Sequence, residues 1–234
     1  MIKHTKAAWS MSVINFTGSS GPLVKVCGLQ STEAAECALD SDADLLGIIC
    51  VPNRKRTIDP VIARKISSLV KAYKNSSGTP KYLVGVFRNQ PKEDVLALVN
   101  DYGIDIVQLH GDESWQEYQE FLGLPVIKRL VFPKDCNILL SAASQKPHSF
   151  IPLFDSEAGG TGELLDWNSI SDWVGRQESP ESLHFMLAGG LTPENVGDAL
   201  RLNGVIGVDV SGGVETNGVK DFNKIANFVK NAKK

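Results

Sequence analysis

Residues 205–213, VIGVDVSGG, carry an apolar run into a pair of glycines close to the end of the chain, whereas the first such run, LVKVCGLQ at 23–30, has no G-x-G-x-x-G after it. A doubly wound dinucleotide-binding sheet places its glycine fingerprint after the first strand. Here the glycine-rich stretches come late instead: GGTG at 159–162, AGG at 188–190 and SGG at 211–213. That distribution argues against the open sheet and turns attention to how many strands precede the last one.

Upstream of 205, the runs with strand character are 23–27, 44–50, 82–87, 104–110, 126–132, 150–155 and 183–189, so VIGVDVS at 205–211 is the eighth. Helix-period segments lie between and after them, among them STEAAECALDS (31–41), DPVIARKISSLVKAYKN (59–75), PKEDVLALVNDY (91–102), TPENVGDALRL (192–202) and DFNKIANFVKNAKK (221–234). Asp59-Pro60 and Thr192-Pro193 each read as a capping side chain followed by proline at the first helical position. Strict alternation of strand and helix predicts a parallel sheet, and eight βα units in about 210 residues predict a single α/β domain, a (β/α)₈ TIM barrel of eight parallel strands. The expected layout is a flexible arm over 1–22, ending in the polar TGSSGP, and a barrel over 23–234.

The 234 residues are 42% hydrophobic and 22% charged, enough for a core that buries roughly 70 to 75% of the unfolded surface. A net charge of −3 and a pI near 5.8 supply no basic field, so nucleic acid and anionic membrane are not the expected partners. No apolar run approaches the roughly 18 residues of a membrane span, and the N-terminus lacks a secretory core segment, so a cytoplasmic protein acting on a small molecule is expected, and the acidic surface with no obvious exposed apolar stripe makes a monomer the expected state. Cys27, Cys37, Cys50 and Cys136 form no C-x-x-C pair, and His4, His110, His148 and His184 have no ligand spacing, so free thiols and no metal site are expected.

In such a barrel the chemistry sits at the C-terminal ends of the strands. Alternation turns Val24 and Val26 toward the helices and Lys25 and Cys27 inward; in the eighth strand it turns Val208 and Val210 out and Asp209 in. The first and eighth strands are neighbours, so Lys25 and Asp209 are expected to pair, with orientation of a substrate by Asp209 as the alternative. Asp155 ends an apolar strand, where a low-dielectric wall favours the protonated acid; a helix cap is the bland alternative. Gln108 and His110 share a face at the end of the fourth strand, a place where histidine more often packs than reacts. Gly189 and Gly190, then Ser211, Gly212 and Gly213, with Gly160 in the GGTG stretch, suit close backbone approach to a phosphate. Arg54, Lys55 and Arg56 come to the same end, and one arginine there suits bidentate capture of a carboxylate.

The order of VKVCGLQ, NRKRTI, VQLHGDE, LFD with GGTGELLDW, LAGGLTPENV and GVDVSGGVE closely resembles the phosphoribosylanthranilate isomerase family, in its fungal monofunctional form. The likeness runs over about residues 13–234, and residues 1–10 look foreign to it. It implies a cofactor-independent Amadori rearrangement of N-(5-phosphoribosyl)anthranilate in tryptophan biosynthesis, the reaction of an aldose–ketose isomerase. It further implies Cys27 as general base, Asp155 as general acid, Arg56 on the anthranilate carboxylate and the glycine loops on the phosphate. Lys25, on the same face as Cys27, is expected to favour the thiolate. Other phosphosugar barrels fit less well, because metal-assisted epimerases and lysine/glutamate indole synthases need residues other than a Cys/Asp pair. A non-catalytic phosphometabolite sensor is the rival from another class.

Overall fold

The computed structural model describes residues 21–77, 80–144, 150–156 and 164–234. Eight parallel strands close into a barrel in sequence order. They are β1 (Leu23–Val26), β2 (Leu45–Ile49), β3 (Tyr82–Phe87), β4 (Ile106–Leu109), β5 (Val126–Leu130), β6 (Ile151–Phe154), β7 (Phe185–Leu187) and β8 (Val205–Val210). The helices around them are α1 (Thr32–Asp40), α2 (Pro60–Ser77), α3 (Lys92–Tyr102), α4 (Trp115–Leu122), α5 (Cys136–Ser144), α6 (Trp167–Gly175), α7 (Val196–Ala199) and α8 (Phe222–Ala232). A two-residue hairpin, β9 (Glu215–Thr216) with β10 (Val219–Lys220), follows the barrel. The arm expected over 1–22 lies outside the described residues except for its last two positions.

Alternation along the strands sorts two cores, as barrel geometry requires. Val24, Val26, Val208 and Val210 pack outward with the helices, while Leu45, Val84, Ile106, Ile127, Leu153 and Met186 fill the interior. Lys25 is directly opposite Asp209 where β1 meets β8, and its Nζ lies 3.0 Å from each carboxylate oxygen. The expected pairing is therefore present, inside the barrel. At the other end, buried Lys81 pairs with Asp42 and Asp44, and Asp44 also accepts from Val24 N at 2.8 Å and from Lys233 Nζ at 2.7 Å, so the last residues of the chain brace the bottom of the barrel.

Asp59 caps α2 as expected, accepting from Val61 N at 2.8 Å. Thr192-Pro193 leads into α7 as expected: Thr192 Oγ1 accepts from Glu194 N at 3.3 Å and Thr192 O accepts from Val196 N at 3.1 Å. Asn195 completes the turn, its Oδ1 accepting from Thr192 N at 2.7 Å in the manner of a capping box and its Nδ2 donating to Gly190 O at 3.0 Å. The regular helix is shorter than the pattern promised, beginning at Val196 and running four residues.

Candidate active site

β1, β4 and β6 each end one residue earlier than their sequence runs, and a polar or thiol side chain follows at that next position. Cys27, His110 and Asp155 come directly after β1, β4 and β6, yet their backbone N–H groups still join the barrel ladder, donating to Val210 O at 2.8 Å, Phe87 O at 2.8 Å and Leu130 O at 3.1 Å. Each side chain is thereby launched from a fixed backbone at the barrel mouth. A cavity of about 300 Å³ opens there.

Cys27, Arg56, Gln108, His110, Asp155, Gly189, Gly190, Asp209, Ser211, Gly212 and Gly213 all line this one cavity. Gly160 lies outside the described residues. Gly213 is needed for a different close approach, between two loops, since an added Cβ there would clash with Leu191 O. Only glycine lets the loop after β8 press against the loop after β7. Gly47 makes similar room inside the barrel: a Cβ there would lie 2.7 Å from Cys27 Sγ and 3.0 Å from Lys25 Nζ.

Burial dominates the electrostatics. Asp155 is 6% exposed, and its carboxyl is pushed up to about 6 by desolvation, with the Asp209 charge adding to the shift. Ser156 N, donating to Asp155 Oδ1 at 2.7 Å, and the cations Arg129 and Lys25 oppose that rise. His110 is driven down to about 3 by burial and by Arg129, Lys25, Arg88 and Lys128 around it. Its Nε2 is 3.7 Å from Asp155 Oδ2, and at neutral pH the pair is a neutral imidazole beside a carboxyl group rather than an ion pair. Gln108 Nε2 lies 3.4 Å from His110 Nδ1, while Gln108 Oε1 is buried without a hydrogen-bond partner among the described residues.

The expectation that Lys25 favours the thiolate of Cys27 holds for the contribution of Lys25 itself, though not for the net shift. Lys25 does lower the thiol pKa, both by its charge and by a hydrogen bond, but desolvation is the larger effect and the net direction is upward. Two further groups at this end escaped the reading of the sequence. Arg129 is buried on β5 and sits two residues after the interior Ile127, so alternation alone would have turned it inward. Glu215 pairs with Arg56 and Lys220, and although it stands in the GVDVSGGVE stretch, nothing in the sequence says what it meets.

A family model described as N-(5'phosphoribosyl)anthranilate (PRA) isomerase matches residues 34–231. The N-(5'-phosphoribosyl)anthranilate isomerase of Saccharomyces kudriavzevii is 77% identical over 224 residues, covering 96% of this chain and 99% of that protein. A multifunctional tryptophan biosynthesis protein of Schizosaccharomyces pombe is 38% identical over 246 residues, 94% of this chain and 30% of its own length. Among solved structures, a phosphoribosyl anthranilate isomerase in complex with reduced 1-(o-carboxyphenylamino)-1-deoxyribulose 5-phosphate superposes with a TM-score of 0.71 at 32% identity, covering 90% of this chain and 98% of that one.

Proposed function

The chain belongs to the N-(5'-phosphoribosyl)anthranilate isomerase family, and from that premise we propose how its barrel mouth divides the work. The protein converts N-(5'-phosphoribosyl)anthranilate to 1-(2-carboxyphenylamino)-1-deoxyribulose 5-phosphate, an isomerisation of tryptophan biosynthesis. In finer class we read it as an intramolecular oxidoreductase of the aldose–ketose type, because the sugar C1' is reduced as C2' is oxidised.

One observation carries the assignment of roles: a carboxyl group held near pKa 6 and a buried thiol line the same cavity from different strands. Asp155 in its protonated form gives a proton to the ribose ring oxygen. The C1'–O bond breaks and an iminium forms between C1' and the anthranilate nitrogen. The iminium acidifies the C2' proton, and Cys27 takes it as general base. The resulting enolamine then gains a proton at C1' as its C2' hydroxyl gives one up, and becomes the ketone. The elevated Cys27 pKa fits this order, since the thiol is needed as a base only once the iminium has made its target unusually acidic. A positioned acid or base contributes roughly 10² to 10⁴-fold to such a reaction.

Arg56 is assigned to the anthranilate carboxylate, and the backbone N–H groups of Gly189, Gly190, Gly212 and Gly213 with Ser211 to the phosphate. Asp209 and His110 orient the sugar between those two anions. Gln108 suits a substrate hydroxyl, because its buried Oε1 has acceptor capacity to fill. No cofactor enters any of these steps.

We further infer a monomeric cytoplasmic enzyme. In support, the exposed large apolar residues among those described, Val61, Phe121, Leu140, Leu164, Val219 and Phe222, are distributed over different elements, and no described helix is long and apolar enough to cross a membrane.

The deciding assay is loss of the anthranilate-type fluorescence of freshly made substrate on adding the protein. Cys27→Ala and Asp155→Asn should each slow that loss by at least about 10²-fold while the reduced product analogue still binds. Near-normal turnover by either variant removes that residue from its role, and binding without turnover by the unaltered protein would favour the sensor.

A further inference from the structure

Arg56 does not stand alone at the mouth. Its Nε and Nη2 donate to Glu215 Oε1 and Oε2 at 2.7 and 2.9 Å, a side-on bidentate pair. Glu215 Oε1 also accepts from Lys220 Nζ at 3.0 Å, and Lys220 donates to Ser211 O at 2.8 Å. Glu215 and Lys220 face one another across the β9–β10 hairpin, and Lys224 Nζ donates to Glu215 O at 2.9 Å. The Glu215 side chain is 8% exposed and that of Lys220 is 6% exposed, and neither residue lines the cavity that Arg56 lines.

A guanidinium carries five N–H donors. Glu215 engages the edge made by Nε and Nη2, which leaves both protons of Nη1 and the second proton of Nη2 on the outer edge, the arrangement that grips a carboxylate bidentately. The charges point the same way. Arg56 and Lys220 against one carboxylate leave a net +1, which one further carboxylate neutralises. Glu215 is anchored by three contacts from its own hairpin and α8, so it is a fixture of the site and not a stand-in that substrate displaces. Gly28, at φ +72°, lies beneath: a Cβ there would be 2.9 Å from Arg56 Cδ and 2.9 Å from Ser211 Oγ. The corner that holds Arg56 is thus packed against the residue next to Cys27.

We propose that Glu215, held by Lys220, is a positioning residue for recognition of the substrate carboxylate: it fixes the rotation of the Arg56 guanidinium so that the outer edge faces the anthranilate ring substituent. Glu215 itself touches no substrate. One carboxylate thereby ties the loop after β2, which reads the anthranilate end, to the loop after β8, which reads the phosphate end. The inference rests on the assignment of Arg56 to the carboxylate, and its test separates the two.

The test measures the affinities of two probes, the reduced product analogue and the same molecule lacking the ring carboxylate, and takes their ratio as the carboxylate selectivity. Glu215→Gln keeps the shape but loses the charge and one acceptor, and it should cut the selectivity about tenfold while affinity for the decarboxylated probe stays within about twofold. Glu215→Asp should restore part of it, and it serves as the reporter if Glu215→Gln fails to fold. In an Arg56→Met background, Glu215→Gln should change the selectivity no further. If Arg56→Met abolishes the selectivity and Glu215→Gln leaves it intact, the positioning role is overturned and the Arg56 assignment stands. If Arg56→Met leaves the selectivity intact, the Arg56 assignment falls, and the positioning role falls with it.

Discussion

Lys25 and Asp209 meet across the strand pair that closes the barrel, with the ammonium 3.0 Å from both carboxylate oxygens and fully shielded from solvent. Lys25 is also the charge that most lowers the Cys27 thiol against the pull of burial. The pair therefore has a structural and a chemical side, and one substitution exposes both.

Lys25→Met strands Asp209 in the interior, and breaking a buried pair in this way costs about 3–5 kcal/mol. The denaturation midpoint should fall accordingly, and Lys25→Met with Asp209→Leu should recover most of the loss. Peptide-resolved alkylation of Cys27 in the unaltered protein should have its half-point above the usual thiol value, and Lys25→Met should move it higher still. An alkylation profile indifferent to Lys25 would mean that the ammonium acts on Asp209 alone.

Asp155 is a carboxyl whose native pKa lies above its unfolded value, so the folded protein binds that proton more tightly. Its contribution to stability is present below about pH 4 and is lost as pH rises through about 6. At pH 8 the ionised, buried carboxylate costs about 2–3 kcal/mol. Asp155→Asn should therefore be more stable than the unaltered protein by about that amount at pH 8, and the advantage should vanish near pH 4. Chemical denaturation at the two pH values reads this directly, and equal differences at both would refute the raised pKa.

Gly47→Ala places a methyl 2.7 Å from the Cys27 sulfur and 3.0 Å from Lys25 Nζ. Overpacking of this kind costs about 1–3 kcal/mol. The larger effect should fall on catalysis: a thiol displaced from its line to C2' loses about 10–100-fold in kcat, with KM little changed. A normal kcat in folded Gly47→Ala would show that the sulfur tolerates movement.

Arg129 depresses the pKa of both Asp155 and His110 through its charge. In Arg129→Met, both pKa values should rise, Asp155 above about 6 and His110 above about 3. Carbon-13 shifts of the two side chains followed against pH provide the readout, and a fall in either would place the dominant field elsewhere.

Much of this architecture is legible in the amino-acid order because the relevant rules are local. Period 2 separates Val24 and Val26 from Lys25 and Cys27, and strand count makes β1 and β8 neighbours, so the Lys25–Asp209 pair follows from two short segments. The entry to α7 is legible too, because Thr192 and Asn195 bond reciprocally where Thr192-Pro193 promised a cap, although the regular helix that follows is only four residues long. The net direction of the Cys27 shift is not legible in this way. Sequence reveals a cation on the same face as the thiol, but whether the cation outweighs burial is a contest of magnitudes that depends on enclosure by the whole barrel. The Arg56–Glu215 pair spans 159 positions and joins two loops, and no periodicity links them.

The residues that follow β1, β4 and β6 are held by main-chain hydrogen bonds to neighbouring strands, bonds that any side chain at those positions would leave in place. A scaffold of this kind treats its reagents as interchangeable fittings. Replacement at 27, 110 or 155 alters the chemistry at the mouth while the sockets stay where they are. For inheritance, this means that reaction type in such a chain is free to drift faster than shape, and that a catalytically dead variant remains a folded starting point for a different activity.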